Sequence, residues 1–439
     1  MLSKTSNLLY YINTMKYYLG VYGCQMNISD AERIASVLEA LKYKKTNNMS
    51  EADLIVVTMC SIRQSAVDRI HGLVDKFNII RKSNPKLKTI LTGCVLKRDK
   101  KIFVDGFDYV LDIKDIQRIP QLLNIKTSKN IIDNYLDIAP KHESDFSANV
   151  PIMTGCNNFC SYCVVPYVRE REVSRTAKEI VSEIKKLIKK GYKEIWLLGQ
   201  NVNSYKDPSA GSGQANTFPK LLEMVNNIPG NFWIRFTSSH PKDFSQELIN
   251  AMATYKKVKP YLNLPIQSGD NKILKAMNRH YTVESYKNKI SSLRKQIPDI
   301  SLSTDIIVGF PGETKAQFNN TVKLFEELKY DMAYISKYST RAGTAAAKLK
   351  DNISNAEKRR REQVLTTILK QTALEKNKKL IGRETVTLIN GQRDGQIFGK
   401  DEYYKTIKIT NAPEKNILGR FVKVKITEAS AFVLKGEII

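Results

Sequence analysis

TGCNNFCSYC, residues 154–163, places Cys156, Cys160 and Cys163 inside eight residues, with three residues between the first pair and two between the second. A structural zinc site takes four ligands, usually from two separated pairs. Here one loop supplies three, and no fourth cysteine or histidine stands near in the sequence. A 4Fe–4S cluster takes one cysteine per iron, so three cysteines leave one iron with an open coordination position. Six cysteines in 439 residues fall far short of a disulfide scaffold, and the four histidines, His71, His142, His240 and His280, lie apart from the motif. The stretch reads as an incomplete metal site with one open corner.

The motif follows the first of six apolar runs, near 150–155, 194–200, 232–238, 261–266, 301–308 and 333–339. Helical stretches separate them, such as AKEIVSEIKKLIKKG (177–191), which Gly191 stops. Six β/α repeats predict an α/β fold with an open, partial (β/α)6 barrel over residues 146–375, its functional residues in the loops after the strands. YKDPSAGSGQAN (205–216) reads as a flexible connection, since no strand leads directly into it.

Upstream, KYYLGVYGC (16–24), ADLIVVTMC (52–60) and KTILTGC (88–94) are buried strands that each end at a cysteine. SDAERIASVLEALKY (29–43) is a helix with Ser29 as its expected N-cap. The region 16–140 is thus expected to be an open parallel α/β domain, with Cys24, Cys60 and Cys94 on the rim where such sheets bind ligands. One such cysteine is more often a small buried hydrophobe. Three in the same topological position suit a metal or cluster.

Downstream, NAEKRRREQVLTTILKQTALEKNKKLIG (355–382) reads as one long basic helix closed by Gly382, its lysines and arginines on a solvated face. Short strands follow. In FVKVKI (421–426), Val422, Val424 and Ile426 are expected inside, and Lys423 and Lys425 outside, a small antiparallel β-barrel over 376–439. A net charge of +26 favours a polyanionic partner, with nucleic acid first. No window approaches the roughly 18 apolar residues of a membrane span. Residues 1–15 are expected to be a disordered extension without the apolar core of a secretion signal, which places the protein in the cytoplasm.

CNNFCSYC resembles the signature of the radical S-adenosylmethionine superfamily. With GCQMN (23–27), CSIRQSA (60–66), CVVPYVRE (163–170), LLGQNVN (197–203), TSSHP (237–241), LPIQSGD (264–270) and IVGFPGET (307–314), the chain is similar nearly end to end to the methylthiotransferase family, including its RNA-binding TRAM barrel. GCQMN and CVVPY resemble the branch that acts on N(6)-dimethylallyladenosine in tRNA. The resemblance implies two 4Fe–4S clusters, one on Cys156, Cys160 and Cys163 and an auxiliary one on Cys24, Cys60 and Cys94. It implies S-adenosylmethionine as cofactor, with Tyr162 packed on its adenine and Gln200 and Asn201, beside Gly199, at its methionine end. Gln267 and Ser268 would contact its ribose, and Gly309 and Gly312 would let backbone reach the adenine edge.

The implied activity is methylthiolation of position 37 beside the anticodon. The implied partners are a tRNA anticodon stem-loop and a low-potential electron donor such as a flavodoxin or ferredoxin, with the enzyme a monomer. Threonylcarbamoyl-adenosine in tRNA, a ribosomal-protein aspartate, and a non-catalytic iron–sulfur RNA-binding role are the alternatives. The chain departs from the family at Thr58 and Met59, where Asn-Thr is usual, at Val168 and Glu170, where Thr and Gly are usual, and at Ala342, where proline is common.

Overall fold

The computed structural model describes residues 15–61, 64–126, 135–209, 216–413 and 416–439. The expected N-terminal extension, apart from Met15, and the centre of the Gly/Ser-rich loop lie outside these residues. The chain forms two compact units, residues 1–141 and 142–439.

In the first unit, strands β1 (Lys16–Tyr22), β2 (Lys44–Lys45), β3 (Leu54–Cys60), β4 (Lys88–Cys94) and β5 (Tyr109–Val110) make one sheet, ordered β2-β1-β3-β4-β5 and parallel throughout. Its central strand is apolar on both sides for a physical reason. Leu54 and Val56 pack on one layer with Ile34 and Leu38, while Ile55 and Val57 pack on the other with Ile70 and Phe77. Each such side chain buried contributes ~1.5–3 kcal/mol of hydrophobic stabilisation.

One helix boundary differs from expectation. The first helix runs Gln25–Ala40 with Cys24 as its N-cap, not from Ser29. Asn27 makes this possible, because its Oδ1 accepts the Cys24 N–H at 3.2 Å. Ser29 lies buried inside the helix, where its hydroxyl accepts from Arg33 Nη1 at 2.7 Å.

In the second unit, β6 (Ser147–Pro151), β9 (Glu194–Leu198) and β10 (Trp233–Phe236) form one three-stranded parallel sheet. A second comprises β11 (Tyr261–Asn263), β12 (Ser301–Val308) and β13 (Met332–Lys337). Ile234 bridges them by donating to Lys257 O at 2.7 Å and accepting from Lys259 N–H at 3.1 Å. Short antiparallel strands β7 (Met153–Thr154) and β8 (Val173–Ser174) pin the two ends of the cysteine loop together. Helices cover the outer face. Ala177–Lys189, for example, buries Ile180, Ile184 and Leu187 behind a Thr176–Glu179 capping box.

Strands β14 (Glu384–Arg393), β15 (Gln396–Asp401), β16 (Thr406–Ile409), β17 (Phe421–Ala429) and β18 (Val433–Ile438) close a barrel ordered β14-β15-β16-β18-β17. It is not wholly antiparallel, since β16 and β18 run parallel. Parity requires it: five strands cannot alternate direction around a closed ring. Val424 and Ile426 are buried, Lys423 and Lys425 are exposed, and Val422 is half-buried. The basic helix spans Asn355–Lys378 after an N-cap at Ser354. Its basic run is not simply a solvated face, because Lys358 and Arg361 are buried and Arg361 pairs with Glu313 at 2.6 Å. No helix among the described residues is long and apolar enough to cross a membrane.

Candidate metal and cofactor site

Cys156, Cys160 and Cys163 sit on the loop that leaves β7, at the carboxyl ends of the barrel strands. Gly155 takes φ +83°, and a Cβ there would collide with the Arg171 carbonyl, so glycine is required for the close turn. The Gly155 N–H donates to Gln200 Oε1 at 2.6 Å, and the Cys156 N–H to Glu170 O at 3.1 Å. Glu170 itself lies at φ +62°, a conformation suited to the glycine usual at that place.

From the other side the segment 276–281 props the loop. The Ser161 N–H donates to Met277 O at 2.9 Å, Ser161 Oγ to Ala276 O at 2.8 Å, and Asn278 Nδ2 to Phe159 O at 2.9 Å. Arg279, 7% exposed, donates from Nη1 to Cys160 Sγ at 3.4 Å. Sequence reasoning missed this segment. The available signal was a polar Asn-Arg-His-Tyr run, residues 278–281, just after the short helix Asn271–Ala276.

The three thiols lie within one another's electrostatic reach. Burial pushes Cys163 up to about 12, and the neighbouring Cys160 and Cys156 add to the rise. Burial likewise raises Cys156, with Cys160 again contributing. As thiolates they would repel one another in a desolvated site, so the donor set calls for positive charge among them. Among the described residues no three cysteine, histidine or carboxylate side chains close on a single ion. Thiols that take separate corners of a cube stand farther apart than ligands of one ion.

The residues expected around S-adenosylmethionine are distributed as follows. Tyr162 packs on a small cluster that includes Met277, Phe310 and Tyr338, which brings it to the loop holding Gly309 and Gly312. Both glycines adopt left-handed backbone, at φ +69° and +81°. The Gly309 N–H donates to Glu313 Oε2 at 2.7 Å and that of Gly312 to Asn352 Oδ1 at 3.0 Å. Gly199 is small because Met153 packs 2.6 Å from where its Cβ would stand.

Gln200 is engaged with Gly155, as above, and Ser268 is fully buried with its Oγ accepting the Asp270 N–H at 3.3 Å. Gln267 lies at φ +76°, its backbone tied to Asp305 and Ile307. Asn201 is 1% exposed. Its Nδ2 donates to Asp243 at 2.7 Å, whereas its Oδ1 is buried with no protein partner, an acceptor fit for a ligand ammonium.

In the first unit, Cys60 and Cys94 are register partners at the ends of β3 and β4. Cys24 caps the first helix, whose N-terminal dipole favours a thiolate. Asn27 ties Cys24 to the end of β3. Its Oδ1 accepts from Cys24 N and lies 3.5 Å from Cys24 Sγ, while its Nδ2 donates to Met59 O at 3.3 Å, next to Cys60. A Cβ at Gly93, φ +102°, would strike the backbone of Met59, so glycine before Cys94 lets the two strand ends meet. Thr58 is fully buried, its Oγ1 only 3.5 Å from Gly20 O.

Three family models match the chain: the Radical SAM superfamily over residues 150–325, the Uncharacterized protein family UPF0004 over 16–112, and the TRAM domain over 378–439. Two solved structures share the fold. The radical S-adenosylmethionine methyltransferase TsrM from Kitasatospora setae superposes with a TM-score of 0.55 at 13% identity over 75% of each chain. The cobalamin-dependent S-adenosylmethionine radical enzyme OxsB gives 0.52 at 11% identity, over 82% of this chain and 56% of that one. A partial parallel barrel carrying this three-cysteine loop defines a radical S-adenosylmethionine enzyme.

The curated relatives narrow the class. A tRNA-2-methylthio-N(6)-dimethylallyladenosine synthase of Thermoanaerobacter sp. (strain X514) is 40% identical over 100% of this chain and 94% of its own. One from Caldicellulosiruptor saccharolyticus is 42% identical over 96% and 92%. The chain belongs to the family of tRNA-2-methylthio-N(6)-dimethylallyladenosine synthases.

Proposed function

We propose that the protein converts N(6)-dimethylallyladenosine at position 37, beside the tRNA anticodon, to its 2-methylthio derivative. The observation that carries this reading is a pair of three-cysteine cradles at the carboxyl ends of parallel strands, in a chain similar over its whole length to synthases of that name. Carbon 2 of the adenine is not activated toward nucleophiles and its hydrogen is not acidic, so acid–base catalysis has no route. A 4Fe–4S cluster with S-adenosylmethionine supplies radical chemistry that does.

Cys156, Cys160 and Cys163 would hold the cluster that meets S-adenosylmethionine, and Arg279 would steady the charge at Cys160. Asn201 Oδ1 would receive the methionine ammonium, while Tyr162 and the Gly309–Gly312 turn would frame the adenine. Gln200 and Ser268 would act mainly on the shape of their loops, consistent with their internal bonds, and Gln267 would face the ribose. Cys24, Cys60 and Cys94 would hold the second cluster, with Asn27 orienting Cys24.

The barrel of residues 376–439 would grip the anticodon stem-loop, and the target base would leave its stack to reach the site. We place the enzyme in the cytoplasm as a monomer, with a flavodoxin or ferredoxin as electron donor. The test is anaerobic reconstitution with iron and sulfide, then incubation with prenylated tRNA, S-adenosylmethionine and a reductant, followed by nucleoside mass spectrometry. The 2-methylthio nucleoside is expected. Modification of threonylcarbamoyl-adenosine instead, or no change in any nucleoside, would overturn the reading.

A further inference from the structure

The β15–β16 turn enters the amino end of the partial barrel, opposite the end that carries the cysteine loop. Trp233, Glu194 and Tyr261 are the first residues of β10, β9 and β11, and so mark this end of the barrel. The Tyr404 ring lies 5.0 Å from that of Trp196 and 4.6 Å from that of Tyr261. Arg235, 2% exposed, holds the turn from within. Its Nε pairs with Glu194 at 2.8 Å, its Nη2 donates to Asp401 O at 2.6 Å, and its Nη1 donates to Glu402 O at 3.1 Å.

The guanidinium also stacks 5.1 Å from the Tyr404 ring centre and 5.0 Å from that of Trp233, which in turn meets Phe421 at 4.7 Å. Lys259 binds Glu402 at 2.7 Å and Lys405 binds Asp331 at 2.9 Å. Tyr404 adopts φ +65° to do this, a conformation costly for a bulky residue and retained where surrounding contacts over-determine it.

We infer that Tyr404 and Arg235 are positioning residues for the RNA substrate, fixing the attitude of the small barrel so that RNA held on it is presented to the distant cysteine-bearing rim. This rests on the tRNA reading above. Neither residue stands at the cysteine-bearing end, so neither is catalytic. Their effect comes through the effective concentration of the bound base at that rim.

The test compares Tyr404→Ala and Tyr404→Phe in the full-length reconstituted enzyme. Tyr404→Ala should raise KM and Kd for prenylated tRNA about tenfold, with kcat and tRNA-free formation of 5′-deoxyadenosine changing less than about twofold. Tyr404→Phe should restore the wild-type values. The only two tryptophans, Trp196 and Trp233, flank the seam, so Tyr404→Ala should also shift intrinsic emission to the red.

An unchanged KM, or a fall in kcat with KM intact, overturns the inference. Should Tyr404→Ala not fold, Lys259→Ala removes only one ion pair to the turn and must still raise KM; no rise overturns it. A wild-type enzyme that modifies no tRNA strikes the functional reading instead. The seam is then judged by Kd for tRNA and emission alone, and wild-type values of both in Tyr404→Ala overturn it.

Discussion

Arg279 Nη1 stands 3.4 Å from Cys160 Sγ, while its Nη2 donates to Pro265 O at 2.7 Å and its Nε to the Tyr281 hydroxyl at 2.6 Å. The guanidinium is therefore held at three points and offers a fixed positive charge to one cysteine. Arg279→Gln should cost about 1.5–3 kcal/mol of stability for the lost charge-assisted bonds. It should also lower the reduction potential of the reconstituted cluster, since a hydrogen bond and a positive charge near sulfur favour the reduced state. Thermal melts and spectroelectrochemistry measure both. An unchanged potential would remove Arg279 from this role.

The two cradles separate by mutation. Alanine at Cys156, Cys160 or Cys163 should abolish 5′-deoxyadenosine formation. Alanine at Cys24, Cys60 or Cys94 should leave that formation in place and abolish the methylthio product. Chromatography of the two products after single incubations decides, and undiminished 5′-deoxyadenosine from the first set contradicts the assignment.

Asn27→Ala removes the carboxamide that joins Cys24 to the end of β3. Outer-shell partners of this kind are worth roughly 10–100-fold in metal affinity. Iron retained at the N-terminal cradle during chelator challenge should fall accordingly, with 5′-deoxyadenosine formation retained. Equal iron retention in variant and wild type would show Asn27 to be a helix cap alone.

Glu170 sits at φ +62° on an exposed turn. Glu170→Gly relieves left-handed strain of about 1–2 kcal/mol and adds unfolded-state entropy, for a net gain of about 1 kcal/mol. A rise in melting temperature is expected for the protein without its clusters. A fall would mean that the glutamate side chain stabilises the turn by more than its backbone costs.

Burial, assisted by the nearby Arg279 charge, pushes His240 down to about 2. Its Nδ1 accepts the Lys242 N–H at 3.2 Å, which leaves the proton on Nε2. The unfolded chain takes up a proton near the usual pH of about 6.5 while the folded one does not, so the contribution is present above that pH and is lost as pH falls toward 2. The slope is about 1.4 kcal/mol per pH unit. Urea unfolding at pH 7.5 and 5.5 should show the loss, and His240→Gln should flatten it.

Strands β1, β3 and β4 of the first unit were legible because each is an apolar run that leads to a cysteine, whereas the edge strands β2 and β5 are two residues long, too short to show a pattern. The first helix start was misplaced because Cys24 is not among the residues that usually cap helices; its thiol takes the place of a serine hydroxyl, and Asn27 returns the reciprocal bond by accepting the Cys24 N–H. Arg279 was hidden because its sulfur partner lies 119 residues away in the chain, and no local pattern encodes such a contact. Gln200 reads as a ligand contact from its loop position, but its carboxamide braces Gly155, 45 residues earlier. Pattern thus reports which segments pair with their neighbours. It is silent on side chains that act across the fold.

In the proposed assignment the six cysteines divide into two cradles of three, and the sequence contains no seventh. Once each is committed to iron, this chain has no thiol left to carry a persulfide from a donor to its substrate. Sulfur traffic must then pass directly between an outside source and the metal centres. Unfolded in denaturant, the cluster-free protein should accordingly take up a thiol reagent at all six cysteines, whereas the folded protein carrying both clusters should take up none.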